Sequence, residues 1–265
     1  ISRPDSSCRD WFTFSEYPRV YECWRNCGVI PELNFKNDAV VDAVIRGDRS
    51  PVVFWTKKGV DGLRLDCAND LGRELCALIR DTARSINPDV VVIGEVWNYA
   101  AGWLDVLDGA QTYYLTDAVL SLLNEKISAS QFGAVVRALL NDAGAVKQSR
   151  CFNMLASHDY KRLMNTLDGD KVRAKIATLL QFTLPGIPFI YYGEECCMRG
   201  DGDGSDPMNR GAMCWDALAQ DNHVSWYKKL CSLRKERPEL RHGDFKDLTD
   251  QLTRCTAFIR HDPAD

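Results

Sequence analysis

The stretch Gly59-Val60-Asp61-Gly62-Leu63-Arg64-Leu65-Asp66-Cys67-Ala68-Asn69-Asp70 constrains the fold of this chain more than any other. It starts at a glycine, runs through apolar residues broken by one arginine, and reaches an aspartate just before helical spacing begins at Leu71. Such a run predicts a strand buried on both faces of a parallel sheet, with its carboxyl end handing over to a helix. Arg64 and Asp66 are two residues apart, so both side chains leave the strand on one face. Opposite charges inside a sheet are costly to desolvate unless they are matched and hydrogen-bonded. Taken alone, the pair fits a structural ion pair as well as a reactive site.

Two further strands share the design. Val90 to Trp97, preceded by the breaker Asn87-Pro88, is an apolar run carrying Glu95 near its end, and Phe152 to Asp159 ends in another carboxylate. Acidic residues at the carboxyl ends of three separate strands predict convergence at one end of a parallel sheet, where open sheets and (β/α) barrels keep their active sites. Clustered carboxylates are what acid/base chemistry with carboxyl groups requires.

Between these strands the apolar spacing is helical: Leu71, Leu75, Leu78 and Ile79; Ala118, Val119, Leu122 and Leu123; Phe132, Val135, Val136, Leu139 and Leu140; Val172, Ile176, Leu179 and Leu180; and Val224, Tyr227, Leu230 and Leu233. A weaker strand is predicted at 111–115, and a further strand at 188–193 completes the alternating series. Asp38 is expected to cap a helix bearing Val40, Val41, Val44 and Ile45 and ended by Gly47, and Ser50-Pro51 to open another carrying Phe54 and Trp55. Residues 1–37 read as loop. Residues 38–238 form an α/β series with five parallel strands, whereas 239–265 change to short extended pieces, as at the start of a separate β domain.

Composition narrows the function classes. A net charge of −4 supplies no general basic surface for nucleic acid. No apolar run approaches the ~20 residues of a membrane span, and no signal peptide is visible, although the chain opens at Ile1 inside a polar stretch. Eleven scattered cysteines without Cys-x-x-Cys knuckles, and only four histidines, speak against a zinc site, so no metal ligands are assigned. The cysteines fit a reducing, cytoplasmic setting, with a Cys23–Cys27 disulfide left open.

Val-Asp-Gly-Leu-Arg-Leu-Asp at 60–66, Gly-Glu-Val-Trp at 94–97 and Ser-His-Asp at 157–159 resemble three signature stretches of the α-amylase family of retaining glycoside hydrolases, in the family's order. Leu184 to Glu195, and Asp206-Pro207 with Arg210 before Met213-Cys214-Trp215-Asp216, extend the likeness. Ile30-Pro31-Glu32-Leu33-Asn34 is similar to the form found in neopullulanases and cyclomaltodextrinases. The resemblance implies a partial (β/α)8 TIM barrel, strands four to eight, lacking the family's first signature stretch; such a chain is expected to be a fragment and inactive by itself.

By the same resemblance, Asp66 is the nucleophile, Glu95 the acid/base, and Asp159 a stabiliser of the transition state, with Arg64 holding Asp66 ionised and His158 donating to the sugar. Trp97 and Tyr99 suit stacking on sugar rings, though Trp97 equally suits the core. Arg210 suits sugar contact or a surface ion pair, and Asn69 and Asp70 are further candidate contacts. The implied substrates are α-glucan oligosaccharides: maltooligosaccharides, cyclodextrins or pullulan, hydrolysed or transglycosylated. An α-glucosidase of the family, or a non-catalytic barrel, is the alternative. Calcium is the one cofactor to consider, its usual ligands lying outside this sequence, and the oligomeric state is left open, a homodimer of the complete enzyme being one option.

Overall fold

The computed structural model describes residues 5–200, 208–218, 222–249 and 255–262. The chain divides into two compact units, Ile1–Leu63 with Glu74–Val92, and Arg64–Arg73 with Ile93–Asp265.

In the first unit the region expected to be loop contains a small antiparallel hairpin, β1 (Phe14–Glu16) and β2 (Val20–Tyr21), between single 3-10 turns. Strands of two or three residues are too short to show alternation in sequence. The next helix, α1 (Asp38–Val41), continues as a π-helical turn, Asp42–Arg46, and stops at Gly47. Its N-cap is Asn37, not Asp38: the Asn37 Oδ1 accepts the Ala39 N–H at 3.0 Å. Ser50 caps α2 (Pro51–Lys57) as expected, its hydroxyl accepting from the Val53 N–H. Val52, Val53 and Thr56 are buried, which turns Phe54 and Trp55 outward.

The parallel sheet has the order β3 (Gly62–Leu65), β4 (Val91–Val96), β5 (Gly109–Thr112), β6 (Phe152–Asn153), β7 (Ile187–Pro188). Sequence neighbours are therefore spatial neighbours, as a β/α series requires. Glu95 stands opposite Gln111, and Asn153 opposite Pro188. Three strands stop earlier than predicted: β5 ends at Thr112 rather than at 115, β6 at Asn153 and β7 at Pro188. Beyond β6 the Met154 carbonyl is taken by the Thr116 hydroxyl at 2.8 Å rather than by a neighbouring strand, so the chain leaves the sheet and Asp159 lies in a turn past it. Beyond β7 the Phe189 carbonyl accepts from Gln181 Nε2 at 2.8 Å.

A single helix was expected after β3. Gly72, at φ 82°, splits it into α3 (Ala68–Leu71) and α4 (Arg73–Ile86), a backbone turn that favours glycine. The buried face of α4 is Cys76, Ile79 and Ala83, with Leu75 and Leu78 at its margins.

Helices α5 (Tyr114–Leu123), α6 (Ala129–Ala143) and α7 (Ala145–Gln148) separate β5 from β6; α8 (Leu163–Thr166) and α9 (Lys171–Thr183) separate β6 from β7. Leu115, Val119, Phe132, Val136, Leu139, Leu155, Leu167 and Leu180 form one core. The predicted stripe of α9 is rotated. Ala174, Ala177, Thr178 and Leu180 face inward, whereas Val172 is 69% exposed. Ile176 and Leu179 instead line an open groove with Leu122, Phe258 and Leu240.

The chain continues through α10 (Trp215–Leu218), α11 (Asn222–Glu236) and α12 (Glu239–His242) to an antiparallel hairpin, β8 (Asp244–Asp247) and β9 (Phe258–His261). In α11 Tyr227 and Leu230 are buried as predicted, whereas Leu233 is exposed. Two guanidinium groups tie this end to α9: Arg234 donates to the Phe182, Gly186 and Leu240 carbonyls, and Arg260 to those of Thr183, Leu240, Gly243 and Asp244. Burial pushes both arginines down to about 10. No disulfide joins Cys23 and Cys27, and among the described residues no helix is long and apolar enough to cross a membrane.

Gly94 shows how tightly β4 is seated. A Cβ there would overlap Leu107 Cδ1 and lie 2.8 Å from the Ala68 Cβ. In the full-length protein Gly94→Ala is expected to lose about 1–3 kcal/mol of stability by overpacking. Gly28→Ala, where a Cβ meets nothing within 4 Å, should change stability by less than about 0.5 kcal/mol. Urea denaturation of both variants checks the contrast.

Candidate active site

Arg64 leaves β3 toward the next two strands. Its Nη1 bonds Asp66 Oδ1, its Nη2 lies 3.2 Å from Glu95 Oε2, and its Nε donates to Gln111 Oε1 at 3.2 Å. One guanidinium thus spans a side chain just past β3, one on β4 and one on β5. Such a planar fork holds several acceptors in fixed directions, which an ammonium could not.

The turn after β3 is fastened to β4 as well. Cys67 sits in the left-handed region, φ 44°, and its N–H donates to Glu95 Oε2 at 2.9 Å. Asn69 Oδ1 accepts the Trp97 N–H at 2.9 Å, so the side chain proposed from sequence as a ligand contact secures the backbone.

The two carboxylates differ sharply in setting. Asp66 has 76% of its side chain exposed, Glu95 2%. Glu95 Oε1 is buried without a hydrogen-bond partner, whereas Oε2 takes both Arg64 and the Cys67 N–H. An oxygen of Asp66, one of Glu95 and the Cys67 Sγ lie within 4.8 Å of one another. That donor set does not suit calcium, which takes oxygen ligands, since one atom is a thiol and Arg64 already bonds both carboxylates.

Asp159 stands in a second cluster. Oδ1 accepts from Arg210 Nη2 at 2.8 Å and Oδ2 lies 2.8 Å from His158 Nε2. The Asp159 N–H donates to Ser157 Oγ, itself 2.8 Å from the Tyr113 hydroxyl. Tyr113 is the link between the clusters. Burial above all pushes its phenol up; the Ser157 hydrogen bond opposes this, and the charges of Glu95 and Asp159 add to it.

Trp97 stacks on Tyr113 with ring centroids 4.6 Å apart, and Tyr113 on Tyr160 at 5.4 Å. One face of Trp97 is thereby used in packing while the residue remains partly exposed. Tyr99 is drawn elsewhere: its hydroxyl donates to Asp142 at 2.9 Å, and burial followed by that bond pushes it up to about 12.

The family model for the α-amylase catalytic domain matches residues 9–219. The chain belongs to that family. A Bacillus cyclomaltodextrinase is 34% identical over 275 residues, covering 98% of this chain and 48% of the relative. Neopullulanase 2 of Thermoactinomyces vulgaris is 31% identical over 268 residues, covering 96% and 44%. The cyclic α-maltosyl-(1→6)-maltose hydrolase of Arthrobacter globiformis, solved with that cyclic sugar, superposes with a TM-score of 0.87 at 26% identity, covering 98% of this chain and 59% of the other. The chain spans about half the length of the curated relatives it matches. Its five parallel strands are part of the TIM-barrel fold of this α-amylase family.

Sequence reasoning located Arg64, Asp66, Glu95, His158, Asp159 and Arg210, and the structure gathers them into the two clusters above. It missed Gln111 and Tyr113. The available signal was a glutamine inside an apolar strand, followed two residues later by a tyrosine just past the strand's end. It also missed the Cys67 N–H, which side-chain patterns cannot reveal.

Glu194, in the stretch after β7, is buried; Oε2 accepts the Tyr191 N–H at 3.0 Å and Oε1 has no hydrogen-bond partner. Burial pushes it from 4.5 up to about 8, against the Tyr191 bond and the nearby Arg162 charge. Between those values the folded state binds more protons at this group than the unfolded chain, so its contribution to stability is lost as pH rises through about 8. Glu194→Gln stays neutral throughout. The unfolding free energy of Glu194→Gln minus that of the parent should therefore grow from pH 5 to pH 9, as measured by urea denaturation at several pH values in the full-length protein.

Proposed function

We propose that this chain carries the catalytic carboxylates of a retaining hydrolase of α-glucosidic bonds, with Asp66 as nucleophile and Glu95 as acid and then base. The observation that carries this reading is the approach of the two carboxylates, with oxygens within 4.8 Å. Retaining glycosidases hold the pair ~5–5.5 Å apart, whereas inverting ones need ~6.5–9.5 Å to admit a water.

Asp66, exposed and bonded to a guanidinium, is a carboxylate a sugar ring can approach. Its oxygen attacks the anomeric carbon as the glycosidic C–O bond breaks, and the leaving oxygen takes the proton of Glu95. Glu95 Oε1 makes no hydrogen bond within the protein, so a proton carried there is not shared with another protein group. In the second half, water attacks the anomeric carbon of the glycosyl–Asp66 ester, a proton of that water passes to Glu95, and the C–O bond to Asp66 breaks so that its carboxylate leaves. Arg64 bonds both groups and limits their drift between the two steps. Asp159, held from either side by His158 and Arg210, supplies negative charge and hydrogen bonds to the sugar while positive charge develops on its ring.

Substrates of the cyclomaltodextrin, maltooligosaccharide and pullulan class are supported by the names of the relatives. A cytoplasmic setting is supported by the name of one relative, an intracellular maltogenic amylase of Bacillus subtilis. Residues 38–238 would serve as the catalytic part, with 239–265 opening a β region.

In the full-length enzyme, Asp66→Ala should lower kcat/KM by ~10³ or more, as for a group essential in the transition state. Glu95→Gln should impair substrates with poor leaving groups far more than activated aryl glycosides; equal losses on both would remove its assignment as acid. The first sugar released should have the α configuration, since two inversions restore it. NMR of the initial product reads this directly, and β product would exclude the pairing.

A further inference from the structure

Arg162 is 1% exposed, a cation among the largest fully buried side chains of the described residues. Its hydrogen bonds go to neutral carbonyls: Nη1 to Tyr192 at 2.5 Å and Nη2 to Asn209 at 3.0 Å. Its guanidinium carbon stands 4.8 Å from the Tyr191 ring centroid and 4.5 Å from that of Tyr192. A desolvated charge is tolerated where hydrogen bonds and aromatic faces both compensate it, and here one bonded carbonyl and the hydroxyls of both rings lead to one short segment.

That segment is Asn209-Arg210-Gly211. The Asn209 carbonyl accepts two donors, Arg162 Nη2 and the Tyr191 hydroxyl at 2.8 Å. The Gly211 carbonyl accepts the Tyr192 hydroxyl at 2.6 Å. The residue between them, Arg210, extends outward with its Nη2 on Asp159 Oδ1 and its Nε 3.4 Å from the His158 carbonyl. A long side chain lying half exposed loses rotamer freedom when it is held in one geometry. Anchoring the backbone on both sides leaves less to be lost when it meets Asp159.

We propose that Arg162, Tyr191 and Tyr192 are positioning residues that hold the backbone on both sides of Arg210 and so fix its guanidinium against Asp159. The proposal rests on the retaining-hydrolase reading, in which Asp159 works on the sugar. The three are assigned no contact with substrate. Their effect passes through Arg210.

A double-mutant cycle in the full-length enzyme tests this. Tyr191→Phe and Tyr192→Phe each delete one hydroxyl and leave the ring over Arg162, so the fold is preserved better than by changing the buried cation. Each is expected to lower kcat/KM on maltooligosaccharide about two- to tenfold, the range of one neutral hydrogen bond. In an Arg210→Ala background the same changes should have no further effect, because the group they position is gone. Melting temperature is recorded for every variant. A purely structural role predicts the same fold-loss with and without Arg210; that result, or phenylalanine variants within the error of the parent, overturns the proposal. Failure of the underlying reading has a different signature: Asp66→Ala would keep its activity, and the proposal would fall with it.

Discussion

The Arg64 guanidinium is the interaction on which the rest of the site depends. A positive charge on a strand of a parallel sheet is tolerable only with several acceptors arranged around it, and Asp66, Glu95 and Gln111 are those acceptors. Each comes from a different strand or strand end, so the register that places Glu95 opposite Gln111 also decides whether the guanidinium is satisfied. Sheet geometry and charge balance are one constraint here. A register slip of one residue would turn Glu95 to the opposite face and leave both Arg64 and the Cys67 N–H short of an acceptor.

A second layer fixes the site from outside. Tyr113 lies beneath Trp97 and beside Tyr160, and its hydroxyl bonds the serine that also receives the Asp159 N–H. Stacked rings are rigid, with few torsions to lose on ordering. The turn bearing Asp159 is therefore held by aromatic packing, not by the sheet, which is why the early end of β6 does not set that carboxylate adrift.

What the sequence made legible follows from what patterns report. Val91–Val96 was plain because a strand buried on both faces is a continuous apolar run. Phe152 to Asp159 looked alike, but composition cannot show that a threonine hydroxyl takes the Met154 carbonyl and ends the ladder. On α9 the large residues pointed to one face and the fold used another, because Ala174 and Ala177 allow close approach while hydropathy weights size. The acidic and basic members of the site were readable as charges in improbable places. Gln111 and Tyr113 were not, since a glutamine in a strand and a tyrosine just past its end are unremarkable until the register is known.

The two arginines at the end of α9 bear on how the chain assembles. The terminal carbonyls of that helix, Phe182 and Thr183, obtain their donors from Arg234 and Arg260, 52 and 77 residues later in the chain. During synthesis the helix therefore emerges with its last turn open to water, and that turn is closed only when Arg234 and Arg260 have been made and have folded back onto it. Residues made long after the helix thus supply the donors that seal its last turn, and the order of translation is written into which residue caps which.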